Sequence, residues 1–293
     1  MQEFIQKQFV WTVAMPLGIA IVCMIIAWRP WQREGRESIR GFWGGPLAIG
    51  LGYLVGHVAI NQWPNWPPAQ PTDFLFLIAV AAIVVGLLES ARMPLAVRWA
   101  LRLLLCLSVS WFMLSKGFRD GRPALLVAAW TAGQTLSIFL IWTLLERLAQ
   151  RRAGPSIPLV LSLLIAVASV FFLKAASSAK LAQLAGVLAA ALGGASLIAM
   201  IVPRVSVARG MLAVVVPLYG ALILYVWQYP QPLGTPIILA LAPLLLWAAE
   251  WRESITAVIG RVLLAMVPAF IALIALILLL WHRLDAAQGE SLY

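Results

Sequence analysis

No aspartate or glutamate stands at the middle of any long apolar run in this sequence. Proton- and sodium-coupled pumps keep a carboxylate at that depth, because a buried charge is costly and persists where it works; its absence argues against that class. Cysteine is nearly missing too. Cys23 and Cys106 both lie within apolar runs, which argues against a disulfide framework and makes each a small buried hydrophobe. There is no HExxH, CxxC, GxSxG or Walker A motif, which removes the familiar metalloprotease, redox, hydrolase and nucleotide-binding readings. The glycine-rich "GFWGGP" at 41–46 lacks the lysine of a phosphate loop. The sequence therefore nominates no catalytic residue, no cofactor and no metal site, and reads as a non-enzyme.

Charge of either sign is scarce: 11% of the 293 residues are charged and 63% are hydrophobic, whereas soluble domains are about one quarter charged. Apolar stretches of roughly 18 or more residues recur along the whole chain, the signature of membrane-spanning helices. The expected fold is all-α: a polytopic transmembrane bundle forming a single membrane domain over 1–293. Ten spans are expected, at 9–28, 43–60, 74–90, 95–115, 123–146, 157–173, 181–202, 211–228, 235–250 and 260–282. The first reads as a retained helix and not a signal peptide, because Glu3 intrudes on the n-region and the positive charges follow the apolar run.

The formal net charge of +10 is gathered in small groups at the ends of apolar runs. That distribution suits anionic headgroups and offers no basic face for nucleic acid; the expected partner is the lipid bilayer of a cell inner (plasma) membrane. With the N-terminus outside, the inner ends collect most of the 21 Lys and Arg, including Arg29, Arg33, Arg92, Arg147 and Arg252, as the positive-inside rule requires. Arg98 and Arg102 fall early in the span 95–115, where they are expected to snorkel to the inner headgroups. The misfit is "SKGFRDGRP" at 115–123, which puts Lys116, Arg119 and Arg122 on the outer side.

The stretch "NQWPNWPPAQPTDF" at 61–74 has no Lys or Arg. Its prolines stiffen the backbone and Trp63 and Trp66 suit the interface, so Trp63, Trp66 and Asp73 form a candidate outer platform. His57 lies one turn inside the end of its span on that same side, and His282 closes another there. Together with Trp63-x-x-Trp66, they resemble over a short stretch the tryptophan-rich periplasmic segments of haem-handling cytochrome-assembly proteins. The glycine-containing, aspartate-terminated tryptophan cluster of that family is missing here, so no haem function is carried over. A neutral histidine bonded to a carbonyl is the expected state.

Within the spans, Gln134, Thr131 and His57 are the candidate lining of a cavity. The helix-end carboxylates are expected to pair locally, Glu89 with Arg92, Glu146 with Arg147 or Arg151, and Glu250 with Arg252. Ala182, Gly186, Ala190 and Gly194 recur at four-residue intervals, as do Gly44, Ala48, Gly52 and Gly56. Such stripes let helix backbones approach closely, within this chain or between copies in a homodimer. A weak parallel repeat relates 43–115 to 211–282, with Tyr53 over Tyr219 and Pro64 over Pro230. Two function classes follow. The first is a structural, assembly or anchoring subunit, possible partner of other membrane subunits; the alternative is a transporter or translocator of a neutral or hydrophobic solute.

Overall fold

The computed structural model describes residues 9–28, 43–201 and 210–227, apart from positions 69, 92, 115, 152–155 and 176–177. Every element among them is helical. A π-helical segment, Val10–Ala14, runs into α1 (Met15–Trp28); α2 (Gly44–Asn61), α3 (Pro71–Ser90), α4 (Leu95–Met113) and the short α5 (Lys116–Asp120) follow. The chain continues through α6 (Ala124–Arg151), α7 (Ser156–Ala175), α8 (Ala179–Ile201) and α9 (Met211–Val226). Among the described residues, five helical stretches are long and apolar enough to cross a membrane: Val10–Ala27, Pro71–Ser90, Leu95–Met113, Ala124–Ala149 and Ala179–Ile201. Expected spans 235–250 and 260–282, His282, the Glu250–Arg252 pair and most of the second repeat lie outside the described residues.

α3 starts at Pro71, earlier than the apolar pattern suggests. Proline presets the first-turn dihedral, and Gln70 and Asp73 form a capping box in which the Gln70 backbone N–H donates to Asp73 Oδ2 at 3.0 Å. Asp73 is thus a buried helix-start residue. α4 is one continuous helix despite Arg98 and Arg102.

α9 stands at the centre, packing against α2, α3, α4, α6, α7 and α8. A helix apolar all round belongs in a protein core or in lipid, and here the core takes it: Met211 to Leu218 are all buried. Pro217 lies inside it. α8 packs along α7 and also meets α1 and α2. Glycines permit those contacts: a Cβ on Gly52 would sit 2.9 Å from both the Pro16 carbonyl oxygen and Ala191 Cβ. Across α7 and α8, the Ser162 hydroxyl donates to the Ala189 carbonyl at 2.8 Å, a bond of the kind that joins helices in lipid. Leu103 and Leu104 on α4, and Leu136 and Leu140 on α6, are exposed, as side chains facing acyl chains are.

α9 begins at Gly210, whose φ of 75° lies in the left-handed region, and a Cβ there would stand 2.6 Å from the Gly86 carbonyl oxygen of α3. Gly210→Ala is expected to cost about 1–2 kcal/mol from the backbone conformation alone, with the contact adding to it. Chemical denaturation in detergent micelles measures this, and an unchanged midpoint would rule out the tight α3–α9 entry.

Candidate functional site

The most polar feature of the bundle core is an ion cluster that joins three helices. Arg102 of α4 has a side chain only 2% exposed. Its Nε donates to Glu89 Oε1 at 2.5 Å and its Nη2 to Glu89 Oε2 at 3.0 Å, a two-pronged grip on the carboxylate ending α3. Its Nη1 donates to Glu146 Oε2 of α6, and the guanidinium carbon lies 5.0 Å from the centre of the Trp142 ring. The planar guanidinium suits this task, since one edge meets a carboxylate while its face stacks on an indole. Arg98 stands one turn earlier on α4, its Nε buried without a hydrogen-bond partner.

The arrangement corrects one expectation: Arg102 does not snorkel to the surface but is shared by Glu89 and Glu146; Arg92 and the Arg151 side chain, expected partners of these carboxylates, lie outside the described residues. In an apolar medium a charge is held by whichever opposite charge the packing brings to it, not by the nearest in sequence. Trp142, buried against this cluster, carried no sequence signal beyond its residue type.

The nominated residues fall in different places. His57 is 1% exposed, with Nε2 3.0 Å from the Thr72 carbonyl. A carbonyl only accepts, so Nε2 carries the proton and donates. The ring lies between Tyr53 and Phe76, at centroid distances of 5.9 and 5.7 Å. Thr131 is buried on α6 and its hydroxyl donates to the Val127 carbonyl at 2.9 Å; Thr135 repeats the pattern onto Thr131 at 2.7 Å. Trp63 and Trp66 are 74% and 83% exposed, and the Trp63 ring meets Phe76 edge-on at 6.1 Å. Among the described residues, no three His, Cys, Asp or Glu side chains come together as a metal site.

Along the α8 stripe, Gly194 is buried and a Cβ there would stand 2.6 Å from the Leu17 carbonyl oxygen of α1. Ala182, Gly186 and Ala190 are half-buried, and a Cβ on Gly186 would meet nothing within 4 Å.

Gln134 has a different setting from Thr131 and His57. It opens onto a groove of about 410 Å³ between α6 and α9, whose walls include Ile138, Leu145, Val216, Tyr219 and Leu224. Small residues make the space: Ala129, Gly133 and Gly220 line it, and a Cβ on Gly133 would meet nothing within 4 Å. On α6 the lining runs from Leu126 to Leu145, about 28 Å at 1.5 Å per residue. Trp130 and Trp227 line it toward the start of α6 and the end of α9, with rings edge-to-face at 6.1 Å. Gln134 Oε1 is buried without a hydrogen-bond partner. In a native interior nearly every such atom is satisfied, so an orphaned acceptor facing a groove is a place for a donor to dock.

Tryptophan at 130, glycine at 133 and glutamine at 134 all stand on one stretch of α6, and the glutamine was the only member that sequence reasoning singled out. No family model, curated protein or solved structure matches this chain, so its function has to be read from the groove and the ion cluster themselves.

Proposed function

We propose that the chain is a multi-pass protein of a bacterial-type inner membrane, built as one domain of ten spans with its N-terminus outside, that binds and moves a hydrophobic solute. The observation that carries this reading is the α6–α9 groove with Gln134 Oε1 left unpaired in its wall. Its size falls within the range of about 300–1,000 Å³ usual for small-molecule sites, which are mostly apolar with a few polar groups fixing orientation. A solute whose groove-bound part is uncharged asks for no carboxylate at mid-membrane, in keeping with the distribution of Asp and Glu. The ion cluster is read as a clamp that holds α3, α4 and α6 in register beside the groove, not as a catalytic group, and the protein as a non-enzyme. The subunit reading suggested by the small-residue stripes is weaker, because the tight contacts of Gly52 and Gly194 are made within the chain.

The test is native mass spectrometry of the full chain extracted from its own membrane in mild detergent. Wild type is expected to retain a small hydrophobic molecule. Gly133→Phe, whose Cβ would meet nothing within 4 Å and whose ring would occupy the groove, is expected to lose it while the unfolding midpoint is little changed. Gln134→Leu is expected to weaken retention about tenfold, the worth of one hydrogen bond to a buried group. Wild type that carries no ligand and co-purifies with other polypeptides at fixed stoichiometry would sink the proposal in favour of an anchoring subunit.

A further inference from the structure

The positive segment at 115–123 is unexplained by topology, and it lies where the groove ends. Trp130, in the groove wall, meets Phe118 of α5 edge-to-face at 6.1 Å. The Arg122 guanidinium carbon lies 5.0 Å from the centre of that Phe118 ring. Arg119 stands at 5.2 Å over the ring of Trp111, at the end of α4. Among the described residues neither arginine has a carboxylate partner, and Arg119 Nε is buried without a hydrogen-bond partner. A guanidinium resting its face on an aromatic ring keeps its N–H edge for a planar anion, and phosphate and carboxylate fit that edge.

An apolar groove of about 28 Å nearly matches the hydrocarbon thickness of a bilayer, roughly 30 Å. A small soluble anion would use the arginines and leave the groove empty; a plain hydrocarbon would fill the groove and ignore the arginines. An amphiphile uses both. We infer that the solute of the α6–α9 groove is an anionic lipid, its headgroup held by Arg119 and Arg122 and an acyl chain lying along α6 that carries a hydrogen-bond donor for Gln134 Oε1. Basic clusters at a membrane surface recognise anionic headgroups, and this one is joined to the acyl site through the Phe118–Trp130 contact. Asp120, between the two arginines, is the only acidic residue of 115–123, so the segment stays net positive. The inference rests on the groove being a binding site, as proposed above.

Native mass spectrometry of the delipidated full chain, titrated with phosphatidylglycerol or with phosphatidylcholine of the same acyl chains, tests it. Wild type is expected to bind phosphatidylglycerol at least about tenfold more tightly, as two charge-assisted contacts imply, and inorganic phosphate is expected not to displace it. The double variant Arg119→Gln/Arg122→Gln is expected to lose the preference while still taking up both lipids. Arg119→Lys/Arg122→Lys, which keeps the charge but not the planar edge, is expected to keep only part of it. Gly133→Phe is expected to abolish uptake of both. Equal binding of the two lipids by wild type, with Gly133→Phe still losing them, overturns the headgroup inference and leaves the groove reading standing. Phosphatidylglycerol that binds Gly133→Phe as well as wild type overturns the inference too, since surface charge alone then explains it.

Discussion

Arg102→Met is expected to destabilise the bundle by about 3–5 kcal/mol, the usual cost of removing one member of a buried ion cluster and leaving the others charged. Glu89, with a side chain 4% exposed, would lose both of its bonds to Arg102, and Glu146 would lose its own. Arg102→Lys is expected to recover only part of the loss, because an ammonium cannot grip one carboxylate with two prongs while lying flat on Trp142. Removing the whole cluster together, as Glu89→Leu/Arg102→Met/Glu146→Leu, is expected to be far milder than Arg102→Met alone, since apolar packing replaces buried ion pairs at little cost. Tryptophan fluorescence during chemical denaturation in micelles measures the series. A triple variant less stable than Arg102→Met would show that the cluster does more than neutralise itself.

The second large effect is expected at Gly194. Leucine there would drive its Cβ into the Leu17 carbonyl at 2.6 Å and approach Ala20 Cβ at 3.3 Å. Backbone cannot step aside as a flexible side chain can, so α1 and α8 would have to separate, at about 1–3 kcal/mol or more. Gly186→Leu, two turns away on the same stripe, is expected to cost far less, because a Cβ there would meet nothing within 4 Å. The pair also separates the two uses of a small-residue stripe. Light scattering of Gly186→Leu in detergent reports the assembly state: a change of mass with unchanged stability would place this part of α8 between copies of the chain.

The helices themselves were legible because a membrane demands long apolar runs, and such runs persist through every local ambiguity. Expected spans 43–60, 157–173 and 211–228 lie within a few residues of Gly44–Asn61, Ser156–Ala175 and Met211–Val226. Boundaries failed where polar residues belong to a helix for reasons hydropathy does not weigh. The capping box carries α3 back to Pro71, and the charged end of α6 runs on to Arg151. The partners of Arg102 were not legible at all. Arg102 reaches partners 13 and 44 residues away, and no local pattern encodes which helix will lie beside which. Gln134 could be nominated as a polar residue in an apolar span. The groove that gives it meaning depends on α9 lying beside α6, and no pattern within α6 announces that neighbour.

The central position of α9 also has a consequence for how the protein is made. A ribosome delivers helices in order, and the post around which the bundle closes comes out after α1 to α8. At about 5–20 residues per second, the chain between the end of α8 at Ile201 and the end of α9 at Val226 takes on the order of 1–5 s to emerge. For that interval the faces of α2, α3 and α4 meant for α9 are covered by lipid or by the insertion machinery. Biogenesis must therefore include a displacement, in which an incoming helix evicts whatever has been keeping its place.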